Sequence, residues 1–350
     1  MSNTNWDSTD LGAVDFGGVI HEDVMNKIWD VSNVPLAFTN LIGRGDHGNE
    51  YSSWVTDALA APSTSNAQVD GSDQTGDDSK AGERIGNNSQ ISTKIVQVST
   101  RARESNTIGH ADELAYQVME RQKELRRDVN AQMLTEQASV VSDANAGTAG
   151  VSAGLFAFIR DTGQTKAGNA LIGATGARPG QTAAGAGPAA VTAGTARALT
   201  ETLVRDSVEL AYNDGGNPSV MIALPALIRK FSEYLFTSSA RIAALYSETG
   251  QAQEAVTAKG SVNVFVTDFG TLELVPERIM AAEAAARTNV GILDPEYLEI
   301  SYLHGYRVEP LAKTGLADKR QMCVDYMLKV RNLDAHATIC DIDHTAAVTA

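Results

Sequence analysis

Cysteine is almost missing from this chain of 350 residues. Only Cys323 and Cys340 occur, with neither the density nor the paired spacing of a disulfide framework, so a stapled secreted scaffold is excluded and two buried reduced thiols are expected. Basic charge is scarce as well. Lys and Arg number 28 against 43 Asp and Glu, a formal net charge of −15, and a pI near 4.8 argues against wrapping or tracking nucleic acid, which relies on cations neutralising phosphates. There is no long apolar run: the best, Val220 to Ile228, is short and broken by Pro225, so no membrane-spanning helix is expected. The opening MSNTNWDSTDLGAVDFGG carries acids and polar residues where a secretory signal has a basic region and an apolar core. A soluble protein made in the cytoplasm is expected.

Chemistry-bearing motifs are equally thin. The six histidines, at 21, 47, 110, 304, 336 and 344, are scattered beyond any local metal-ligand spacing, so neither a metal nor another cofactor is expected. Gly150-Val151-Ser152-Ala153-Gly154 matches the letters of a nucleophile elbow, which needs a buried strand before the Ser and a helix after it. The preceding DANAGTAG is no strand. Lys313-Thr314-Gly315 resembles one beta-lactamase motif, but no Ser in the chain has Lys three positions on; Asp268-Phe269-Gly270 copies three kinase letters and reads as a hairpin turn. The glycines at 173 to 187 lack the Lys and Ser or Thr of a phosphate loop and read as flexible loop. No catalytic residue is assigned.

What the chain does have is a long polar arm, roughly residues 46 to 104, leading into one strongly patterned helix. From Asp46 to Glu83 there are eight acids against one base, Lys80, a net of −7; from Arg84 to Arg103 there are four bases and no acid. Opposite signs on the outgoing and returning halves suit a hairpin laid against another copy of the molecule. The inter-subunit contact candidates are therefore Asp70, Asp73, Asp77, Asp78, Arg84, Lys94, Arg101 and Arg103. The acids lack the spacing of a dedicated calcium loop. Two strands are expected in the arm, Tyr51 to Leu59 and Gln90 to Thr100, flanking a Gly, Ser and Asp-rich loop at 62 to 82.

The helix is expected over 111 to 141, with Leu114, Val118, Leu125, Val129, Met133 and Val140 on one stripe. Residues 144 to 195, rich in Ala, Gly and Thr, read as surface loops around a short buried strand or turn at GLFAFI, 154 to 159. A helix over 195 to 213, a Gly215-Gly216-Asn217-Pro218 stop, the strand VMIAL and a helix begun by Pro225, with Leu227, Phe231 and Leu235 inward, form a helix-strand-helix lobe. SVNVFVTDFGTLELVP, 261 to 276, alternates as a hairpin, and several strands follow around the charged turn KTGLADKR. Near the start, Val24, Ile28 and Val31 mark a short amphipathic piece.

In this order the elements resemble a tailed-phage major capsid protein of the HK-ninety-seven (Johnson) fold, an α+β architecture. Local sequence is similar to a family of phage major capsid proteins catalogued as a domain of unknown function, through Gly82-Glu83-Arg84-Ile85-Gly86-Asn87-Asn88-Ser89-Gln90-Ile91, ELAYQVMERQKELRRDVNAQML, LTETLVRDSVELAYNDGGNP, VTDFGTLELVPERIM, ILDPEYLEISYL, LAKTGLADKRQM and VRNLDAHATI. Together these cover most of residues 80 to 342. The resemblance implies an N-terminal arm at 1–43, an extended loop at 44–105, a peripheral domain with the spine helix at 106–195, an axial domain at 196–292, and the peripheral return with the C-terminal tail at 293–350. It implies a structural shell protein without enzymatic activity, assembling with itself as hexamers and pentamers into an icosahedral head that encloses double-stranded DNA without sequence-specific binding. Scaffolding, portal and possibly decoration proteins are implied partners, with the scaffold separate because no charged helical segment accompanies the arm. The implied location is the virion, and the host cytoplasm during assembly. Two rivals stand beside it: an encapsulin-like compartment of the same fold, and a serine hydrolase using Ser152 with His304 as base. A secreted filament or adhesin is disfavoured by the missing signal.

Overall fold

The computed structural model of the chain describes residues 28, 35–60, 62–73, 79, 81–105, 107, 109–163, 168–183, 185–237, 264–280, 287–313 and 315–346. In chain order the helices are α1 (Ala37–Leu41), α2 (Thr100–Glu104), α3 (Glu113–Met133), α4 (Leu155–Phe158), α5 (Glu201–Asn213) and α6 (Pro225–Thr237). The strands are β1 (Gly43–Asp46), β2 (Tyr51–Thr56), β3 (Glu83–Asn88), β4 (Gln90–Ser99), β5 (Ala170–Leu171), β6 (Val220–Ala223), β7 (Val264–Thr267), β8 (Gly270–Pro276), β9 (Arg287–Leu293), β10 (Leu298–Pro310), β11 (Ala317–Val330) and β12 (Ala337–Asp343). They form a four-stranded sheet in the order β1-β10-β11-β4, a six-stranded sheet in the order β5-β12-β9-β6-β8-β7, and the β2-β3 hairpin. The chain divides into two compact units, one of Met1–Ser32, Ile95–Arg121 and Glu309–Gln321, the other of Asn33–Lys94, Gln122–Val308 and Met322–Ala350.

The larger unit holds the main core on its six-stranded sheet. All four residues of β6 are buried, and the strand lies between β8, parallel to it, and β9, antiparallel to it. A strand covered on both faces needs a continuous apolar run, which VMIA supplies. Thr200 caps α5 through its side chain, which accepts from the Leu203 amide at 3.3 Å, and Pro225 opens α6 where its missing N–H costs nothing. Gly215 ends α5 with φ 89°, a left-handed turn that a residue with Cβ adopts only under strain. Val204, Val208, Leu227 and Phe231 of the two helices pack with Met221, Phe265, Leu272, Val290, Ile292 and Ile339 of the sheet.

The smaller unit contains the end of β4, α2, the first turns of α3 and the distal ends of β10 and β11. Arg103 joins these pieces, donating to Asp318 at 3.0 Å and to Asp112 at 3.4 Å. Asp112 in turn accepts from the Leu114 amide at 3.0 Å, satisfying a free donor at the start of α3.

Several expectations need correcting. The long helix is Glu113–Met133, 21 residues, about 31 Å at the usual rise. Its apolar stripe continues to Val140, but the backbone tightens at Leu134 and Thr135, whose amides bond three residues back to Ala131 and Gln132. Leu114, Leu125, Val129 and Met133 are buried as the stripe implied. The helix expected from 195 begins at Glu201. GLFAFI holds a short buried helix, α4, in place of a strand or turn. The side chain of Leu235, and Val24 and Val31 with most of the N-terminal arm, lie outside the described residues.

Phe265 stacks edge-on against Phe231 with centroids 5.1 Å apart and lies under the Arg205 guanidinium at 5.6 Å. Phe265→Ala is expected to cost about 3–5 kcal/mol, measured by chemical denaturation, while leaving the secondary-structure content of the folded state unchanged.

Candidate functional site

The polar arm begins as a hairpin with a pinned base. β2 and β3 pair antiparallel from Tyr51 opposite Asn88 to Thr56 opposite Glu83. The second arm strand expected from sequence, Gln90 onward, does not pair with the first: as β4 it joins the four-stranded sheet. ERIGNN was missed as a strand because its buried side chains include two asparagines, which lack the apolar alternation of a half-buried strand.

Those asparagines anchor the arm. Asn87 donates to the Ser152 hydroxyl at 3.0 Å and the Leu328 carbonyl at 2.8 Å, and accepts from the Ala153 amide at 3.0 Å. The Leu328 amide donates to the same Ser152 hydroxyl at 3.2 Å. Asn88 donates to Ser139 at 2.8 Å. On β2, the Trp54 indole donates to the Val330 carbonyl at 2.9 Å with Lys329 lying 5.7 Å over its ring. Arg160, nearly buried, holds Glu83 at 3.0 Å. Gly86 cannot carry a side chain, since a Cβ there would sit 2.8 Å from the Ser52 carbonyl.

Among the described residues between Thr56 and Glu83, Leu59 is 99% exposed and Val69 is 78% exposed, and the hydrogen bonds include local turns such as Ser72 N to Val69 O at 3.0 Å. Asp70 and Asp73 are exposed, while Asp77 and Asp78 lie outside the described residues. Of the four bases in the returning half, Arg84 donates across the hairpin to Ser53 at 2.9 Å. Lys94 pairs with Asp128 at 2.8 Å and Glu124 at 3.8 Å, Arg103 pairs with Asp318 and Asp112, and Arg101 is exposed. The basic half therefore does not face the acidic half across one hairpin, and two of its charges are met within their own chain.

Two polar clusters in the body went unnoticed in the sequence. Arg178 is fully buried, pairs closely with Glu136, and donates to the Phe156 carbonyl at 2.9 Å and to Asn289 at 3.3 Å. Arg287 meets Glu136 at 3.4 Å and Asp341 at 3.3 Å. Burial pushes the Glu136 carboxyl up, yet the charges of Arg178 and Arg287 hold it below the usual carboxylate range. In the second cluster, the buried Glu277 carboxylate accepts from the amides of Phe38 at 3.1 Å and Ile279 at 3.1 Å and from Asn130 at 3.0 Å. Asn130 accepts from Thr39 twice, so α1, α3 and the segment after β8 share one polar knot. The available signal was the few charged side chains, Arg160, Asp161, Lys166, Arg178 and Arg197, in a stretch rich in Ala, Gly and Thr.

Ser152 is buried with its hydroxyl engaged by Asn87 and Leu328, and Val151 beside it bridges to Val140, so the strand-turn-helix of a nucleophile elbow is not formed. His304 is exposed on β10. Asp268 and Phe269 form the β7-β8 turn. Among the described residues no group of three or more His, Cys, Asp or Glu is placed to hold a metal ion, and no helix is long and apolar enough to cross a membrane. Cys340 is buried and Cys323 half-buried, both free thiols.

An arm on a pinned base, a long helix beside a four-stranded sheet and a helix-covered six-stranded lobe define the class of shell-forming proteins with the HK-ninety-seven fold. Solved structures share it: the capsid of a native GTA particle, 12% identical with TM-score 0.57 and 94% of this chain and 98% of that one covered, and the capsid of Cyanophage A-1(L), 14% identical, TM-score 0.56, covering 93% and 97%. The holo-SrpI encapsulin of Synechococcus elongatus PCC 7942 is 11% identical, with TM-score 0.53 and coverage of 94% and 95%. The chain matches the SU10 major capsid protein family over residues 2–343 and belongs to it, a family of structural capsid shell proteins. Over 113 residues it is 34% identical to the major capsid protein of Escherichia phage Phieco32, a match spanning 32% of each chain.

Asn87→Ala leaves the Ala153 amide and the Leu328 carbonyl unpaired in the interior, at about 1–3 kcal/mol for each group, and denaturant unfolding should show that loss. A second expectation concerns acid. His336 is fully buried, its Nδ1 accepts from the Asp294 amide at 3.2 Å, and burial holds its pKa to about 3 against an ordinary 6.5. Below 6.5 the unfolded chain binds a proton that the folded chain does not, so stability is full above that pH and falls as pH drops toward 3. Between pH 7 and pH 5 this histidine should cost about 2 kcal/mol, and a His336→Asn variant should flatten that part of the stability profile.

Proposed function

We propose that the protein assembles with copies of itself, as hexamers and pentamers, into an icosahedral phage head around double-stranded DNA, and that the polar arm is the clasp between copies. The observation that carries this reading is the exposure of Leu59 and Val69, held largely in water beyond a base that is tightly bonded. Single exposed apolar side chains are common, but such side chains on an extended arm with no core of its own fit a surface that another copy covers. Many modest contacts of this kind let a shell correct errors while it grows and hold firmly once closed.

In this reading residues 1–43 are the N-terminal arm, 44–105 the extended loop, 106–195 and 293–350 the peripheral domain and 196–292 the axial domain. Asp70, Asp73, Asp77, Asp78, Arg84, Lys94, Arg101 and Arg103 border the contact between copies. A separate scaffolding protein, a portal and possibly decoration proteins complete the head, assembly takes place in the host cytoplasm, and the role is structural with no catalytic group. The likeness to an encapsulin supports a second reading, a compartment enclosing protein cargo. Particles filled with DNA favour the head, and particles filled with a cargo enzyme favour the compartment.

Deleting residues 62–82 tests the clasp. Soluble, folded protomers that no longer close into particles in negative-stain micrographs are expected, and normal shells from that deletion would refute it.

A further inference from the structure

An acidic clasp requires cations on the copy that receives it, and two of the four bases of the returning half are already engaged. Lys94 already holds Asp128 at 2.8 Å and Arg103 holds Asp318 at 3.0 Å, so each would have to give up an acid of its own chain. Two other arginines are placed differently. Arg44 lies on β1, which runs parallel to β10 with Arg44 beside Ile300 and Asp46 beside Tyr302. Arg126, midway along α3, sets its guanidinium 5.5 Å from the Tyr306 ring centroid.

Tyr302 and Tyr306 lie on one face of β10, their ring centroids 6.0 Å apart. Arg44, on the face of β1 that carries Asp46 beside Tyr302, and Arg126, over the Tyr306 ring, bring two guanidiniums to the tyrosine pair; burial pushes the Tyr302 phenol up and the two positive charges oppose that push. Both arginines are exposed. Among the described residues neither is bonded to a carboxylate, and Asp46, on the same face of β1, is bonded to neither.

Forked guanidinium donors beside phenolic hydroxyls recognise carboxylates or phosphates. Two cations are too few to track a polyanion, and the net charge of −15 repels one at range. The complementary groups in greatest supply are the chain's own: Asp70 and Asp73, exposed on the half of the arm that carries a net of −7. We propose that Arg44, Arg126, Tyr302 and Tyr306 form the receptor for the acidic arm tip of a second copy, with Asp70 and Asp73 as the carboxylates it takes. The proposal rests on the reading of the arm as a clasp and adds its docking point. Because arm and receptor are different surfaces, the contact is directional and repeats around a closed ring of copies.

Charge reversal tests it. The Arg44→Glu, Arg126→Glu double variant and the Asp70→Arg, Asp73→Arg double variant are each expected to stay folded, by circular dichroism and thermal melting, and to lose closed shells in sedimentation and micrographs. Combining all four substitutions should restore shells, because the pair is re-formed with its signs exchanged. Should the glutamate variant misfold, Arg44→Gln with Arg126→Gln takes its place and is expected to assemble less completely than the unaltered chain at physiological salt. Either double variant closing shells as the unaltered chain does, or a folded quadruple variant without shells, overturns the proposal. So does an Arg44→Glu, Arg126→Glu variant that forms normal shells but binds a double-stranded DNA fragment more weakly, since the cluster would then serve phosphate. Shells that require residues 62–82 but not this cluster sink the docking point alone, whereas shells indifferent to both sink the clasp as well.

Discussion

The structure depends on how one buried charge is answered. Arg178 stands in a stretch of Ala, Gly and Thr with its guanidinium wholly out of water, and a charge so placed persists only if it is paired and bonded. Its partners come from everywhere around it: Glu136 just beyond α3, the Phe156 carbonyl in α4 and Asn289 in β9. Through Glu136 the network reaches Arg287, and through Arg287 it reaches Asp341 in β12. Asp341 then accepts the amides of Gly173 and Gly194, both at 2.9 Å. The end of the long helix, the wandering loop and the six-stranded sheet are thus held in one arrangement by a handful of charged hydrogen bonds. Pairs of this type add little net stability over an apolar core, but losing one member costs about 3–5 kcal/mol, so they enforce a unique arrangement.

That network changes the meaning of the glycines around it. Read from sequence those at 173 to 187 are flexible loop and Gly194 lies in surface loop, because Gly lowers every local propensity and masks periodicity. In the fold they mark close approach: a Cβ on Gly173 would lie 2.2 Å from the Thr195 carbonyl, and one on Gly194 would lie 2.6 Å from the Asp341 carboxylate. Composition alone does not separate a residue chosen for freedom from one chosen for absence of bulk. The elements that were legible are those whose pattern is local and apolar: the VMIA strand, the helix opened by Pro225, the hairpin around Asp268 and the stripe of α3. The pairing of β2 with β3 was not, since it is settled by Asn87, Asn88 and Trp54 meeting carbonyls and hydroxyls far along the chain. Nor were the two arginines beside Tyr302 and Tyr306, which come together only once β1 lies along β10 and α3 packs over it.

A bonded base and exposed residues beyond it divide the work of association. The bonds of Asn87, Asn88, Trp54 and Arg160 fix where the arm leaves the body, so that part of the ordering cost is met during folding. The exposed residues described beyond that base, Leu59, Val69, Asp70 and Asp73, are left to make contacts that are each modest. Such a division suits a subunit of a shell, which joins its neighbours through many contacts with one sequence.

Net charge sets the conditions under which that joining succeeds. At −15 per chain, copies repel one another at distances up to about a Debye length, roughly 8–10 Å at physiological salt. Random collisions between such subunits bring like charges together and come apart. A contact in which acids of one copy meet exposed arginines of the next reverses the sign locally, so the general repulsion and the specific attraction act as one selection rule. The surplus of acids that first argued against nucleic-acid binding is, on this argument, what keeps the protein from aggregating before it is built into a shell.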